Sequence, residues 1–131
     1  MTQSRTVGEV MTANPISIAE TASLAEAAGI LDGKKINGLP VVDASGALVG
    51  VLSQTDLVRV RANQHLVQDW PGLAVGQVMT KPALTIAVTA SLEEAARSME
   101  ERRVHRLVVT AAAATPIGII STSDLVRSWL R

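Results

Sequence analysis

The chain has 131 residues, 12 Lys+Arg against 12 Asp+Glu, and an apolar fraction of 47%, the profile of a compact soluble domain. Zero net charge and an aromatic content of 2% withhold the positive groove and stacking platforms of sequence-tolerant single-strand binding, so nucleic acid is not an expected partner. The absence of Cys excludes disulfides, thiolate nucleophiles and Cys-ligated zinc or iron–sulfur sites.

Residues 1–6 form an N-terminal tail without the apolar stretch of a secretion signal, which places the chain in the cytoplasm. From Val7 onward the sequence is duplicated. A shift of 68 positions aligns residues 7–59 with 75–127 without a gap, and more than twenty of the pairs are identical. Val7-Gly8-Glu9-Val10-Met11-Thr12 recurs as Val75-Gly76-Gln77-Val78-Met79-Thr80, and Asp56-Leu57-Val58-Arg59 as Asp124-Leu125-Val126-Arg127. The domains are therefore a first repeat at 7–59, a linker at 60–74 and a second repeat at 75–131.

A short strand is expected around Ile16-Ser17-Ile18, and again at Leu84-Thr85-Ile86. Ser23-Leu24-Ala25-Glu26 and Ser91-Leu92-Glu93-Glu94 have the spacing in which hydroxyl and carboxylate reciprocally satisfy free amides at a helix start. The stripes Leu24, Ala27, Ala28, Leu31 and Leu92, Ala95, Ala96, Met99 then give each helix one buried face. A hairpin follows, from Leu39–Val42 to Leu48–Leu52 and from Leu107–Val109 to Ile117–Ile120. Asp43-Ala44-Ser45-Gly46 has turn chemistry, whereas Ala111 to Ala114 alone suggests helix; the repeat overrules that propensity. A second helix starts near Ser53 or Ser121. Each unit reads β-α-β-β-α, an α/β (α+β) fold whose two small repeats share a core about a pseudo-two-fold axis. In the linker, Trp70 beside Pro71 is expected to pack locally. The uncharged run Leu107 to Ser123 contains Pro116 and Gly118 and reads as strand, turn, strand, so no membrane partner is expected.

The paired Val-x-x-Val-Met-Thr segments, Leu39-Pro40-Val41-Val42-Asp43 and Gly50-Val51-Leu52-Ser53-Gln54-Thr55-Asp56 resemble a tandem pair of cystathionine-β-synthase (CBS) domains, from about Thr6 to Trp129, and the chain is similar to a stand-alone pair. The resemblance implies two clefts between the repeats that bind adenosine-containing ligands such as AMP, ADP or ATP. It implies a regulatory sensor that needs no cofactor, assembles as a homodimer and acts on a separate regulated protein. Gly118-Ile119-Ile120-Ser121-Thr122-Ser123-Asp124 repeats the motif. By resemblance, Asp56 and Asp124 accept from ribose hydroxyls, with Ser53, Thr55, Ser121 and Ser123 near ribose or phosphate. One cleft then combines Ser53, Thr55 and Asp56 with Leu84, His105 and Arg106, the last two at phosphate. The other uses Ile16, Asn37, Gly38, Ser121, Ser123 and Asp124, without those cations. The second repeat departs from the family at Val108 and Ala111, where the first has Pro40 and Asp43.

Simpler readings stand beside these. Both Ser-x-x-Asp runs are capping sequences in their own right, while a carboxylate also suits a vicinal diol and a helix start suits an anion. His105 also fits a partly buried, hydrogen-bonded histidine, and Arg102 and Arg103 fit solvated charges at a helix C-terminus. No nucleophile elbow, phosphate loop, dinucleotide fingerprint or His-Glu-x-x-His is present, and His65 and His105 lack metal-pair spacing. No catalytic residue and no metal are expected, and the chain reads as a non-enzyme. Two alternatives remain: an interaction module without nucleotide, and a sensor of another adenosyl ligand, S-adenosylmethionine or NAD, that regulates an enzyme or transporter.

Overall fold

The computed structural model describes residues 5–63, 69–111 and 114–130. His65, the linker around it and the middle of the second hairpin turn lie outside the described residues. In chain order the elements are α1 (Val7–Val10), β1 (Thr12–Ala13), β2 (Ile18–Ala19), α2 (Leu24–Lys34), β3 (Gly38–Val42), β4 (Leu48–Ser53) and α3 (Gln54–Ala62). A 3-10 turn at Trp70–Gly72 follows, then α4 (Val75–Val78), β5 (Thr85–Ala87), α5 (Leu92–Arg102), β6 (Arg106–Thr110), β7 (Pro116–Ser121) and α6 (Thr122–Trp129). The β-α-β-β-α order expected of each repeat is present. The short helix and extended segment that open each repeat were not anticipated.

These opening segments decide how the chain divides. One compact unit is Ile16–Ala83; the other is Met1–Pro15 with Leu84–Arg131. The leading Val-Gly-x-Val-Met-Thr of each repeat thus belongs to the unit built from the other repeat. Each unit has a hydrophobic cluster of its own, one centred on Leu24, Leu39, Leu52 and Val75, the other on Val7, Leu107, Val109 and Ile120.

In the Ile16–Ala83 unit, β2 runs parallel to β3 and β3 antiparallel to β4. Ser23 Oγ caps α2 by accepting from the Glu26 amide at 3.1 Å, but the expected return bond from the Glu26 carboxylate does not form. Instead the backbone of the leading segment pins this helix start: Leu24 N donates to Leu73 O at 2.9 Å and Val75 N to Ala22 O at 2.8 Å. Val75 is then fully buried against the α2 face formed by Leu24, Ala27 and Leu31. Trp70 packs on the same cluster, with the Arg61 guanidinium 4.8 Å above its ring.

The other unit repeats the solution with a four-stranded sheet ordered β1-β7-β6-β5. Ser91 Oγ accepts from the Glu94 amide at 3.1 Å, and Val7 N donates to Ala90 O at 2.8 Å. Glycine is needed where the leading segments cross. A Cβ on Gly50 would stand 2.9 Å from Thr80 O, and one on Gly118 would meet Met11 Sδ and stand 3.1 Å from Thr12 O.

The hairpin turns differ as their sequences do. Asp43 Oδ1 accepts from Ser45 Oγ at 2.7 Å, Ser45 N at 2.9 Å and Ala47 N at 3.1 Å. These bonds, the Ser45 hydroxyl first, hold the Asp43 carboxyl below its ordinary range. Gly46 takes the left-handed φ of 87° that closes the turn. Its counterpart Ala114 is also left-handed, at φ 58°, where a Cβ costs about 1–2 kcal/mol. Ala114→Gly is expected to stabilise by about 0.5–1 kcal/mol, after allowance for the extra freedom of glycine in the unfolded chain. Gly46→Ala is expected to destabilise by about 1 kcal/mol. Urea unfolding midpoints of the two variants check both signs.

Candidate functional site

Both Gly-x-x-Ser-x-x-Asp motifs fold as the last residues of a strand running directly into a helix. Ser53 ends β4 and caps α3; Ser121 ends β7 and caps α6. Extended backbone at the Ser turns into helix in one residue, which leaves the first amides of the helix for side chains to satisfy. The Ser accepts from the amide three residues on and the Asp carboxylate returns to the Ser amide. Asp56 N donates to Ser53 Oγ at 3.2 Å and Ser53 N to Asp56 Oδ2 at 2.9 Å; the equivalents at Ser121 and Asp124 are 3.2 and 2.9 Å. The capping reading of these residues is realised in full.

Capping does not explain why the carboxylates are buried. Asp56 is 1% and Asp124 6% exposed, and a buried carboxylate needs several donors. An arginine one helical turn on supplies the charge in each case. Arg59 Nη2 stands 2.9 Å from Asp56 Oδ1, and Arg127 Nη1 stands 3.2 Å from Asp124 Oδ1. Asp56 also accepts from Ser53 Oγ at 3.0 Å and from Thr80 Oγ1 at 3.0 Å, so four protein donors surround it. Among the described residues, Asp124 accepts from Ser121 N and Arg127 alone.

The register of each hairpin decides which expected site residues come together. Gly38 pairs with Ser53 across β3 and β4, and Gln54 N donates to Asn37 O at 2.9 Å. The Ile16–Ala83 unit therefore gathers Asn37, Gly38, Ser53 and Asp56, with Thr55 exposed on the first turn of α3 and Ile16 exposed ahead of β2. In the other unit Arg106 pairs with Ser121, Thr122 N donates to His105 O at 2.9 Å, and Leu84 O accepts from Val108 N at 3.0 Å. That unit gathers Leu84, His105, Arg106, Ser121 and Asp124, with Ser123 exposed.

The sequence-based grouping set His105 and Arg106 with Asp56. Within their own unit, antiparallel pairing brings Arg106, the first residue of β6, opposite Ser121, the last of β7. His105 is exposed, which removes the reading as a partly buried histidine. Arg102 ends α5 and Arg103 caps it in left-handed conformation, both exposed, as expected of solvated helix-end charges. An open pocket of about 140 Å³ lies against Asp124, lined by Arg5, Glu9, Val10, Arg127 and Ser128. Glu9 accepts from the Thr6 amide and hydroxyl, each at 3.0 Å; these bonds, the backbone one first, hold its carboxyl below the ordinary range. Among the described residues there is no cluster of metal-ligating side chains.

Sequence reasoning missed Thr80, Arg59 and Arg127. The signal for the arginines was present as an Asp-x-x-Arg spacing identical in both repeats, the i, i+3 arrangement in which helix side chains meet. Nothing local marked Thr80, whose contact depends on the exchange of leading segments.

The CBS domain matches this sequence twice, at residues 7–63 and 75–131. The chain belongs to the CBS domain family. As a CBS pair it is 37% identical over 120 residues to a homoserine O-acetyltransferase of Methanocorpusculum labreanum, covering 92% of this chain and 23% of that protein. It is 31% identical to the CBS domain-containing chloroplastic protein CBSX2 of Arabidopsis thaliana, covering 96% of this chain and 64% of that one. The chain therefore spans less than two thirds of these relatives. A crystal structure of CBSX2 in complex with AMP superposes with a TM-score of 0.85 at 37% identity, covering 95% of this chain and 96% of that one. The CBS domain pair of MJ0100, in complex with 5′-methylthioadenosine and S-adenosylmethionine, superposes with a TM-score of 0.82 at 25% identity, covering 97% of each. The mixed α+β fold with two CBS repeats agrees with the sequence reading, while the enzymes matched are larger proteins in which the CBS pair is one part.

Loss of Asp56 strips the acceptor from four donors, including the Ser53 amide. Asp56→Ala is expected to cost about 2–3 kcal/mol, and Asp124→Ala, with two donors stranded, about 1–2 kcal/mol. Chemical denaturation of the two variants without ligand checks the order.

Proposed function

We propose that the chain is a regulatory module that binds an adenosine-containing ligand at its Ser-x-x-Asp helix starts and acts through the conformation it then favours, without catalysis of its own. The observation that carries this reading is the likeness, along nearly the whole length of both chains, to CBSX2 in complex with AMP. The chemistry of the helix starts supports it. A carboxylate accepts from both hydroxyls of a ribose, and the neighbouring hydroxyls and helix amides suit phosphate.

Asp56 and Asp124 are engaged by Arg59 and Arg127, so a ribose diol enters by exchange for a guanidinium. The two arginines are 58% and 57% exposed; water and phosphate are ready partners for the displaced group, and the diol hydroxyls replace it as donors to the buried carboxylate. Occupancy shifts the module only by the ligand's differential affinity for its conformations.

Arg106, half-buried opposite Ser121, favours a phosphate-bearing ligand such as AMP, ADP or ATP. The likeness to MJ0100 in complex with 5′-methylthioadenosine and S-adenosylmethionine supports a second reading, an adenosyl ligand without phosphate. We assign the output to a homodimer and a separate regulated protein. Val126, Trp129 and Leu130 lie exposed at i, i+3, i+4 on the last helix and its end, a stripe suited to association of two copies.

Thermal shift against AMP, ADP, ATP, NAD and S-adenosylmethionine tests the proposal. A ligand at 100 times its Kd is expected to add about 2.7 kcal/mol of stability; no shift from any adenosine compound overturns the reading. Arg106→Ala is expected to weaken AMP and ATP about tenfold, the loss of one charge-assisted contact, and to leave adenosine unaffected. Equal losses for all three remove Arg106 from the phosphate.

A further inference from the structure

The geometry points to an unequal division of labour between the two carboxylates: Asp124 is the ligand-accepting one, Asp56 is closed by the protein itself, and Thr80 is the residue that closes it. This inference rests on the proposed reading that the Ser-x-x-Asp motifs receive an adenosine ligand. Four protein hydrogen bonds fill Asp56. Ser53 supplies two to Oδ2, at 2.9 Å from its amide and 3.0 Å from its hydroxyl; Arg59 at 2.9 Å and Thr80 Oγ1 at 3.0 Å fill Oδ1. A carboxylate has about four acceptor sites, so a diol finds none free at Asp56. Release of Arg59 alone still leaves Oδ1 engaged by Thr80.

The position equivalent to Thr80 in the first repeat is Thr12, and its backbone has the same register. Thr80 pairs with Val51, and Thr12 with Ile119, the residue 68 positions beyond Val51. Both threonines are exposed, yet among the described residues Thr80 alone reaches its carboxylate, and Asp124 has only Ser121 N at 2.9 Å and Arg127 Nη1 at 3.2 Å as donors. Displacement of the exposed Arg127 therefore clears Oδ1 of Asp124 completely. The chain path differs directly after the two threonines: Asn14 takes a left-handed φ of 56°, whereas the equivalent position is Pro82. One further observation agrees: the cation Arg106 stands opposite Ser121, where Gly38 stands opposite Ser53. Thr80 is thus a specificity-determining residue that acts by occupying a carboxylate oxygen and touches no ligand itself.

Calorimetric titration of the wild-type chain with AMP, and with S-adenosylmethionine as a phosphate-free arm, is expected to give one ligand per chain. Asp124→Asn is expected to abolish that binding. Thr80→Val, which keeps the shape and removes the hydroxyl, is expected to raise the stoichiometry towards two. A ligand-free measurement guards against variants that fold poorly. In thermal unfolding, Thr80→Val and Asp56→Asn are expected to be coupled, the double variant losing less than the sum of the singles, whereas Thr12→Val and Asp124→Asn are expected to add. Two equal sites in the wild type, an unchanged stoichiometry in Thr80→Val, or additive losses for Thr80 and Asp56 each overturn the inference while the proposed function stands. Failure of every adenosine compound to bind the wild type overturns the proposed function, and this inference with it.

Discussion

Everything in this fold depends on one burial constraint: a repeat of this size does not close its own core, and a valine from the other repeat's leading segment closes it. Val7 and Val75 are both fully buried, each worth about 1.5–3 kcal/mol against exposure. The backbone around them does as much as the side chain. It enters the first turn of α2 or α5 as a short ladder, and it crosses β4 or β7 so closely that only glycine fits beneath it. The invariance of Gly50 and Gly118 between the repeats is therefore a packing requirement of the exchange, although the glycines lie inside the motif that the ligand reading also uses. Exchange costs little in chain entropy. The Val7–Ala90 closure is longer in sequence than the Val75–Ala22 closure by less than a factor of two, a difference below about 0.6 kcal/mol.

The same constraint builds the carboxylate sites. A strand that must end under a crossing segment, and turn at once into a helix, presents a Ser and an Asp to unpaired amides. Burial then recruits an arginine from the next turn, because a carboxylate with so little exposure is not tolerated with one donor. Capping and the proposed ligand binding would thus be successive uses of one group. The cap bonds employ Oδ2 and the exposed arginine employs Oδ1, which Thr80 shares at Asp56 and which Arg127 alone holds at Asp124 among the described residues. On the proposed reading, a ligand that takes Oδ1 of Asp124 frees the Arg127 guanidinium at the helix surface, a local change in charge.

The sequence made the regular elements legible wherever two independent signals agreed. Helices α2 and α5 had both a Ser cap and a stripe of apolar residues, and both formed where expected. The turn at Ala111 to Ala114 was legible only through its repeat partner, since four alanines favour helix; its middle lies outside the described residues, and the left-handed Ala114 shows the cost of a turn without Gly46. What escaped was long-range. A duplicated sequence scores the same whether each leading segment folds onto its own repeat or onto the other, so Thr80 and the crossing of Met11 and Met79 had no local signature. Resemblance names the positions, but only the hairpin register shows that Arg106 stands opposite Ser121.

Duplication followed by divergence leaves a readable record in this chain. Positions that satisfy the backbone are the same in both copies: the Gly under the crossing segment, the Ser cap, the Asp and its arginine. Exposed and half-buried positions where the first hairpin strand begins have changed, with Gly38 against Arg106 and Asn37 against His105. Fold stability acts on both copies alike, since each unit needs its cap and its close crossing, whereas a ligand acts only where it binds. Zero net charge hides this asymmetry, because the total counts cations without regard to where the hairpins place them. A half-buried Arg106 stands opposite Ser121 where Gly38 stands opposite Ser53, and Asp124 has two donors among the described residues where Asp56 has four, so on the proposed reading divergence has made one copy receptive and left the other as scaffold.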